Sequence, residues 1–174
     1  SIFSLVASSF WILASIYTVG YMRGAAEENQ TRFVIFCSIA IHADLAIAWS
    51  GNLLMLFIFY EILTFSPFPL VGHKHNSESK AAGRVYLSIL VGTSLVLFLP
   101  AIFWIWFETG SLNFTSGGIL DGKFPTEHLM FLIAMLVFGI GKAAIMPIHR
   151  WLPAAMVAPT PVSALLHAVA VVKA

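Results

Sequence analysis

Between Leu129 and Pro147 the chain carries a single charge, Lys142, inside an otherwise apolar run. Several other windows near 20 residues are almost wholly apolar, from Ile2 to Tyr21, Phe33 to Trp49, Leu53 to Val71 and Arg84 to Phe107. A segment of about 20 apolar residues spans the hydrocarbon core of a bilayer as an α-helix. In lipid only helices and closed barrels satisfy every backbone polar group. The chain is therefore expected to be all-α, a polytopic membrane helical bundle. Composition agrees: 59% of the 174 residues are hydrophobic and 10% charged, against about 25% charged in soluble domains. Mean hydropathy is +0.91. A net charge of +1 argues against a nucleic-acid partner. The lone Cys37 cannot form an internal disulfide.

The pattern predicts about six transmembrane helices, the fifth running from His128 to Trp151 and the sixth starting near Pro161, where proline suits a first helical turn. Ser50-Gly51-Asn52 reads as a tight turn, with Asn52 capping the next helix. Gly110 to Glu127 is rich in Gly, Ser and Asn and reads as an exposed loop or short hairpin. The links after the first and third helices carry Arg23, Arg32, Lys74, Lys80 and Arg84, while the opposite side carries only Lys123. The positive-inside rule places the first set in the cytoplasm. Ser1 opens into an apolar helix and Ala174 stops within one, so residues 1–174 are expected to be a single membrane domain within a longer protein.

A charge in the middle of a membrane helix costs roughly 2.5–3.5 kcal/mol on insertion scales, and such residues usually serve ion or proton pathways. Glu61 is a second case. It lies nine residues after Asn52, about 14 Å along its helix, whereas Lys142 lies about 21 Å along its own. The two helices run in the same direction, and the axial difference of about 7 Å leaves a lateral Glu61–Lys142 pair open. A neighbouring carboxylate favours a charged lysine and desolvation a neutral one, so movement of the partner switches proton occupancy. A structural clamp is the alternative use of such a pair. His167 and Lys173 add a histidine suited to a relay and a further amine. They are about 9 Å apart along a helix and some 120° out of alignment, so water would have to bridge them.

Gly139, Gly141 and Pro147 flank Lys142, which predicts a broken helix around Lys142–Pro147, since proline removes a backbone hydrogen bond. Exposed backbone at such a break can serve ions; a plain helix end at Met146 is the simpler reading. His42 and Asp44 are two apart and face different directions. Asp44 is either a further protonatable site or part of a polar pocket near the Ser50–Asn52 turn. Arg84 is read as a snorkelling residue. Gly139-Ile140-Gly141-Lys142 lacks the earlier glycine and following Ser or Thr of a phosphate loop. Asn29-Gln30-Thr31 and Asn113-Phe114-Thr115 match glycosylation sequons, as short patterns often do by chance. No metal or cofactor site is indicated by the spacing of cysteines and histidines.

Gly-Lys-Ala-Ala-Ile-Met-Pro-Ile-His-Arg-Trp-Leu-Pro from Gly141 and Pro-Thr-Pro-Val-Ser-Ala-Leu-Leu-His ending at His167 resemble the proton-conducting membrane transporter family. That family comprises the antiporter-like subunits of respiratory complex I and the large subunits of multisubunit Mrp-type Na+/H+ antiporters. Asn52-Leu-Leu followed by Phe-Tyr-Glu61 and Thr64 is similar to the family's glutamate helix, and the details look most like the D-type antiporter subunits. The resemblance implies a fourteen-helix antiporter-like fold with inverted five-helix repeats, of which this chain would supply most of the first, roughly helices three to eight. It implies a proton relay through Glu61, Lys142, His167 and Lys173, and Arg84 at a position the family often keeps basic. It also implies partner subunits of a membrane complex, protons and Na+ as the transported ions, a bacterial inner-membrane location and no covalent chemistry or cofactor in this chain. Rival readings are a proton-pumping subunit of complex I, an assembly subunit whose charges clamp helices, and a retinal-type receptor using Lys142, which the crowding Gly and Pro residues disfavour.

Overall fold

The computed structural model describes residues 2–24, 29–71, 77–120, 124–143, 146 and 148–155. His167, Lys173 and the expected sixth helix lie outside them. Among the described residues the chain is a helical bundle with an isolated bridge, Asn52 to Asn113, as its extended pairing. α1 spans Ile2–Gly24, α2 Gln30–Ala48, α3 Leu53–Phe65 and α4 Phe68–Val71. α5 spans Ser77–Thr93 and continues through a π-turn at Ser94–Phe98 into α6, Leu99–Thr109. α7 spans Thr126–Gly139 and α8 Trp151–Ala155, with 3-10 turns at Gly141–Ala143 and Ile148–Arg150 between them.

Among the described residues, four segments are long and apolar enough to cross a membrane: Ile2–Gly24, Gln30–Ala48, Leu53–Leu70 and Lys80–Thr109. This is a multi-pass membrane architecture. α1 shows large apolar side chains such as Leu5, Phe10, Ile12 and Ile16 on its outer surface, as a helix bathed in hydrocarbon does. Two of its hydroxyls bond within the helix: Ser9 Oγ donates to Leu5 O at 2.8 Å and Thr18 Oγ1 to Ala14 O at 2.7 Å. Trp49 Nε1 donates to Ser4 Oγ at 2.6 Å, fastening the end of α2 to the start of α1.

The turn at Ser50–Asn52 forms as the sequence suggests. Asn52 Oδ1 accepts from Met55 N at 2.7 Å and caps α3. Leu53 N donates to Leu112 O and Phe114 N to Gly51 O, which anchors the loop after α6 to the same turn. The start of α3 and the end of α6 therefore lie on one side, and α5–α6 crosses back between them.

Two helices are interrupted: the third, expected to run on to Val71, and the fifth, expected to break around Lys142–Pro147 and ending before it. The third stops at Phe65, because Pro67 and Pro69 cannot donate to Leu63 and Phe65. Side chains repair the gap: Ser66 Oγ donates to Leu63 O at 3.4 Å, and the Tyr86 hydroxyl on α5 donates to Thr64 O at 3.0 Å. The fifth, expected from His128 to Trp151, ends at Gly139, several residues earlier. Glycine is a poor helix former, and Ile140 leaves helical geometry at φ −78°, ψ 67°. A helix of 14 residues is about 21 Å long, short of a core of about 30 Å. Lys142 thus lies beyond the end of α7, on the 3-10 turn Gly141–Ala143.

The interior packs around α5. Met22, Phe33, Cys37, Leu70, Tyr86 and Trp151 form one buried cluster, and Phe57, Tyr60, Phe98 and Ile102 a second. Tyr86 and Trp151 meet edge to face, with centroids 5.6 Å apart. Tyr86→Phe keeps this packing but leaves Thr64 O without its donor. It should lower stability by about 1–3 kcal/mol, the cost of an unmet buried acceptor; thermal unfolding of the detergent-solubilised protein measures this.

Candidate functional site

The site is assembled where the end of α7 meets the middle of α3. Gly139 is buried against the π-turn, and a methyl group there would lie 2.6 Å from Phe98 N and 2.9 Å from Phe98 Cα. Gly141 lies equally close to α5, so that an added Cβ would fall on Thr93 Oγ1. The two glycines let the broken strand of backbone enter a space that any side chain would fill. Pro100 accounts for the π-turn: it has no N–H to give Val96, and Leu99 N reaches back to Ser94 O instead.

This approach delivers Lys142 to the interior. The residue is 1% exposed. Its Nζ donates to Tyr60 O at 2.7 Å and stands 3.5 Å from the centroid of the Tyr60 ring. Tyr60 O also accepts from Thr64 Oγ1 at 2.9 Å, which a carbonyl with two lone pairs allows. The ring also packs on Phe98, edge to face with centroids 5.5 Å apart. Next to the lysine in the chain, Gly141 O accepts from Trp151 Nε1 at 3.0 Å. The carbonyl immediately before Lys142 is thereby fixed by the next helix.

Glu61 is the residue after Tyr60, and one of its carboxylate oxygens, Oε1, is buried without a hydrogen-bond partner among the described residues. Asp44 on α2 is 6% exposed. Among the described residues, Glu61 and Asp44 are the carboxylates whose charge would bear on Lys142. The buried amine is thus met by one carbonyl and one aromatic face, with no carboxylate as its direct partner among the described residues. An unpartnered buried polar oxygen costs about 1–3 kcal/mol, and such a group calls for a water, an ion or a functional role.

Of the residues singled out in the sequence, Glu61 and Lys142 come to the same place, with Tyr60 as the intermediary; His167 and Lys173 are outside the described residues. Asp44 faces inward and His42 outward, its Nδ1 2.7 Å from Ser38 O. Arg84 is exposed at the rim of an apolar groove lined by Phe65, Phe68, Val85 and Val91. Tyr60, Thr64 and Trp151 were not foreseen as site residues. One signal could have found Tyr60: intramembrane cations pair with backbone carbonyls as well as with carboxylates, and the aromatic neighbours of Glu61 are the residues at that depth. Among the described residues no three His, Cys, Asp or Glu side chains gather as metal ligands.

The fold and the site together define a polytopic helical membrane protein with titratable groups enclosed between two interrupted helices. Residues 50–174 match the transmembrane family described as NADH:quinone oxidoreductase/Mrp antiporter. The chain belongs to that family. It is 29% identical over 175 residues to a putative antiporter subunit mnhA2 of Staphylococcus haemolyticus, covering 99% of this chain and 22% of that protein. It is 33% identical over 184 residues to the chloroplastic NAD(P)H-quinone oxidoreductase subunit 5 of Brachypodium distachyon, covering 100% and 24%. With NADH-ubiquinone oxidoreductase chain 5 of Allomyces macrogynus the identity is 33% over 174 residues, covering 98% and 26%. The chain spans about a quarter of the length of these relatives. The resemblance noted in the sequence is thus met at the level of the family.

The glycine packing gives a sharp contrast. Gly139→Ala forces backbone apart at Phe98 and should destabilise the protein by about 1–3 kcal/mol, as overpacking does. Gly92→Ala, in a helix with nothing within 4 Å of the added carbon, should instead stabilise by about 0.5–1 kcal/mol. Thermal unfolding of the two variants side by side tests the assignment.

Proposed function

We propose that this chain is the input half of a proton-translocating subunit in a multisubunit monovalent cation/H+ antiporter. The observation that carries the reading is the buried Lys142 ammonium, seated on Tyr60 at the break after α7, with Glu61 and Asp44 within electrostatic reach. A permanent clamp would pair the ammonium directly with a carboxylate; here Glu61 Oε1 has no partner among the described residues, which leaves it able to gain or lose an interaction as protons move. In this mechanism a proton from the cytoplasmic side reaches Lys142 through water, Glu61 sets its occupancy, and His167 and Lys173 carry it laterally. The chain supplies most of the first of two inverted repeats in the fourteen-helix family fold. Its partners are the other subunits of a complex in a bacterial inner membrane, and Na+ is the counter-ion. A D-type antiporter subunit remains the finer assignment suggested by the sequence details. The names of two of the relatives favour a second reading, a proton-pumping subunit of a quinone oxidoreductase, in which the same residues would act under redox drive.

The test uses the intact complex. Lys142→Ala and Glu61→Gln should each lower ion-coupled proton transport in membrane vesicles about tenfold or more, since removing a positioned proton-transfer group typically costs 10²–10⁴. Assembly should be unchanged. Transport at the wild-type rate in either variant would sink the proposal. Loss of assembly restored by exchanging the two charges would assign the pair to a structural clamp instead.

A further inference from the structure

The partner of Lys142 is a residue that no part of the relay so far described uses. We propose that Tyr60 is a positioning residue that reads the protonation state of Lys142, through the face of its ring. The inference rests on the reading of Lys142 as a proton-carrying group and adds the element that distinguishes its two states.

Two parts of Tyr60 touch the lysine, and they discriminate differently. The carbonyl at 2.7 Å accepts a hydrogen bond from an ammonium or from a neutral amine, so it fixes position in both states. The ring, 3.5 Å from Nζ to centroid, attracts a cation through its quadrupole and has no comparable hold on a neutral amine. The ring is therefore the part of the seat that strengthens when the proton arrives. Its orientation is set by Phe98 on the π-turn, edge to face at 83°, and Phe57 packs on the same Phe98 ring. The tyrosine hydroxyl is buried without a hydrogen-bond partner among the described residues. The position thus gains nothing visible from the phenol oxygen, while the aromatic face is engaged. Because the seat is a carbonyl and a ring, the lysine is stabilised without consuming Glu61, whose oxygen is left for the step that changes occupancy.

The distinction gives an experiment with isosteric arms. In the intact complex, position 60 is replaced by Phe, by phenylalanines bearing one, two and three ring fluorines, and by Leu, with Lys142→Ala as reference. Proton transport in vesicles is read for each after membrane levels are matched. Tyr60→Phe should transport within about twofold of wild type. Fluorination withdraws density from the ring at nearly constant shape, so transport should fall stepwise along the series. Tyr60→Leu should transport about tenfold to thirtyfold less, the loss expected from a desolvated cation–π contact. If Tyr60→Leu does not accumulate, the fluorinated series alone decides. A flat series with an inactive Lys142→Ala overturns the role of the ring and leaves the proton site standing. A loss in Tyr60→Phe equal to that in Tyr60→Leu overturns it as well, by assigning the work to the hydroxyl. Full transport in Lys142→Ala removes the proton site and this inference together.

Discussion

The placement of one buried amine organises this molecule. Seating Lys142 on Tyr60 requires a helix that ends inside the membrane, a backbone that enters a narrow space, and an aromatic ring held at a fixed angle. Each requirement is met by a separate element. Gly139 and Ile140 end the helix, Gly139 and Gly141 admit the backbone, and Phe98 on the π-turn fixes the ring. Removing a cation from water costs several kcal/mol even after relaxation. The surrounding structure must offset that cost, because the ammonium's direct partner is neutral.

The contacts around the lysine close on themselves. From Lys142 the path runs to Tyr60 O, through Thr64 to the Tyr86 hydroxyl, from the Tyr86 ring to Trp151, and from Trp151 Nε1 to Gly141 O beside the lysine. The circuit joins the end of α7 to the interrupted end of α3, with α5 and α8 as the intervening walls. The side chains that meet the two helix breaks, Tyr86 and Trp151, pack on each other. Displacement at one break therefore bears on the other through packed, hydrogen-bonded groups rather than through loose loops.

Much of this was legible in the sequence. The apolar windows gave the membrane class, Asn52 gave the cap of α3, and the isolated charges pointed to Glu61 and Lys142. Helix limits were harder. The apolar run from His128 to Trp151 has the hydropathy of one span, but hydropathy does not register that glycine at 139 is pressed on the backbone of Phe98. The interruption at Ser66 depends on Pro67 and Pro69, whose missing donors are hidden in an otherwise uniform apolar pattern. Tyr60 was invisible for another reason: its functional atoms include a main-chain oxygen, which every residue has, so that nothing in its identity announces the role. Trp151 looked like a helix end and proves to be a completely buried donor.

The π-turn at Ser94–Phe98 does more than accommodate Pro100. One surplus residue in a helix advances the side-chain pattern by about 100°. The long segment from Lys80 to Thr109 therefore acts as a phase shifter. Below the turn it directs Tyr86 and Leu90 to the Met22, Phe33 and Trp151 cluster; above it, Ala101 and Ile105 face Leu132 of α7. A single helix thus serves two sets of neighbours lying in different directions, and its length in residues is as constrained as its composition. Loss of one residue there would leave an apolar span of sound appearance whose upper half is aimed at the wrong helix.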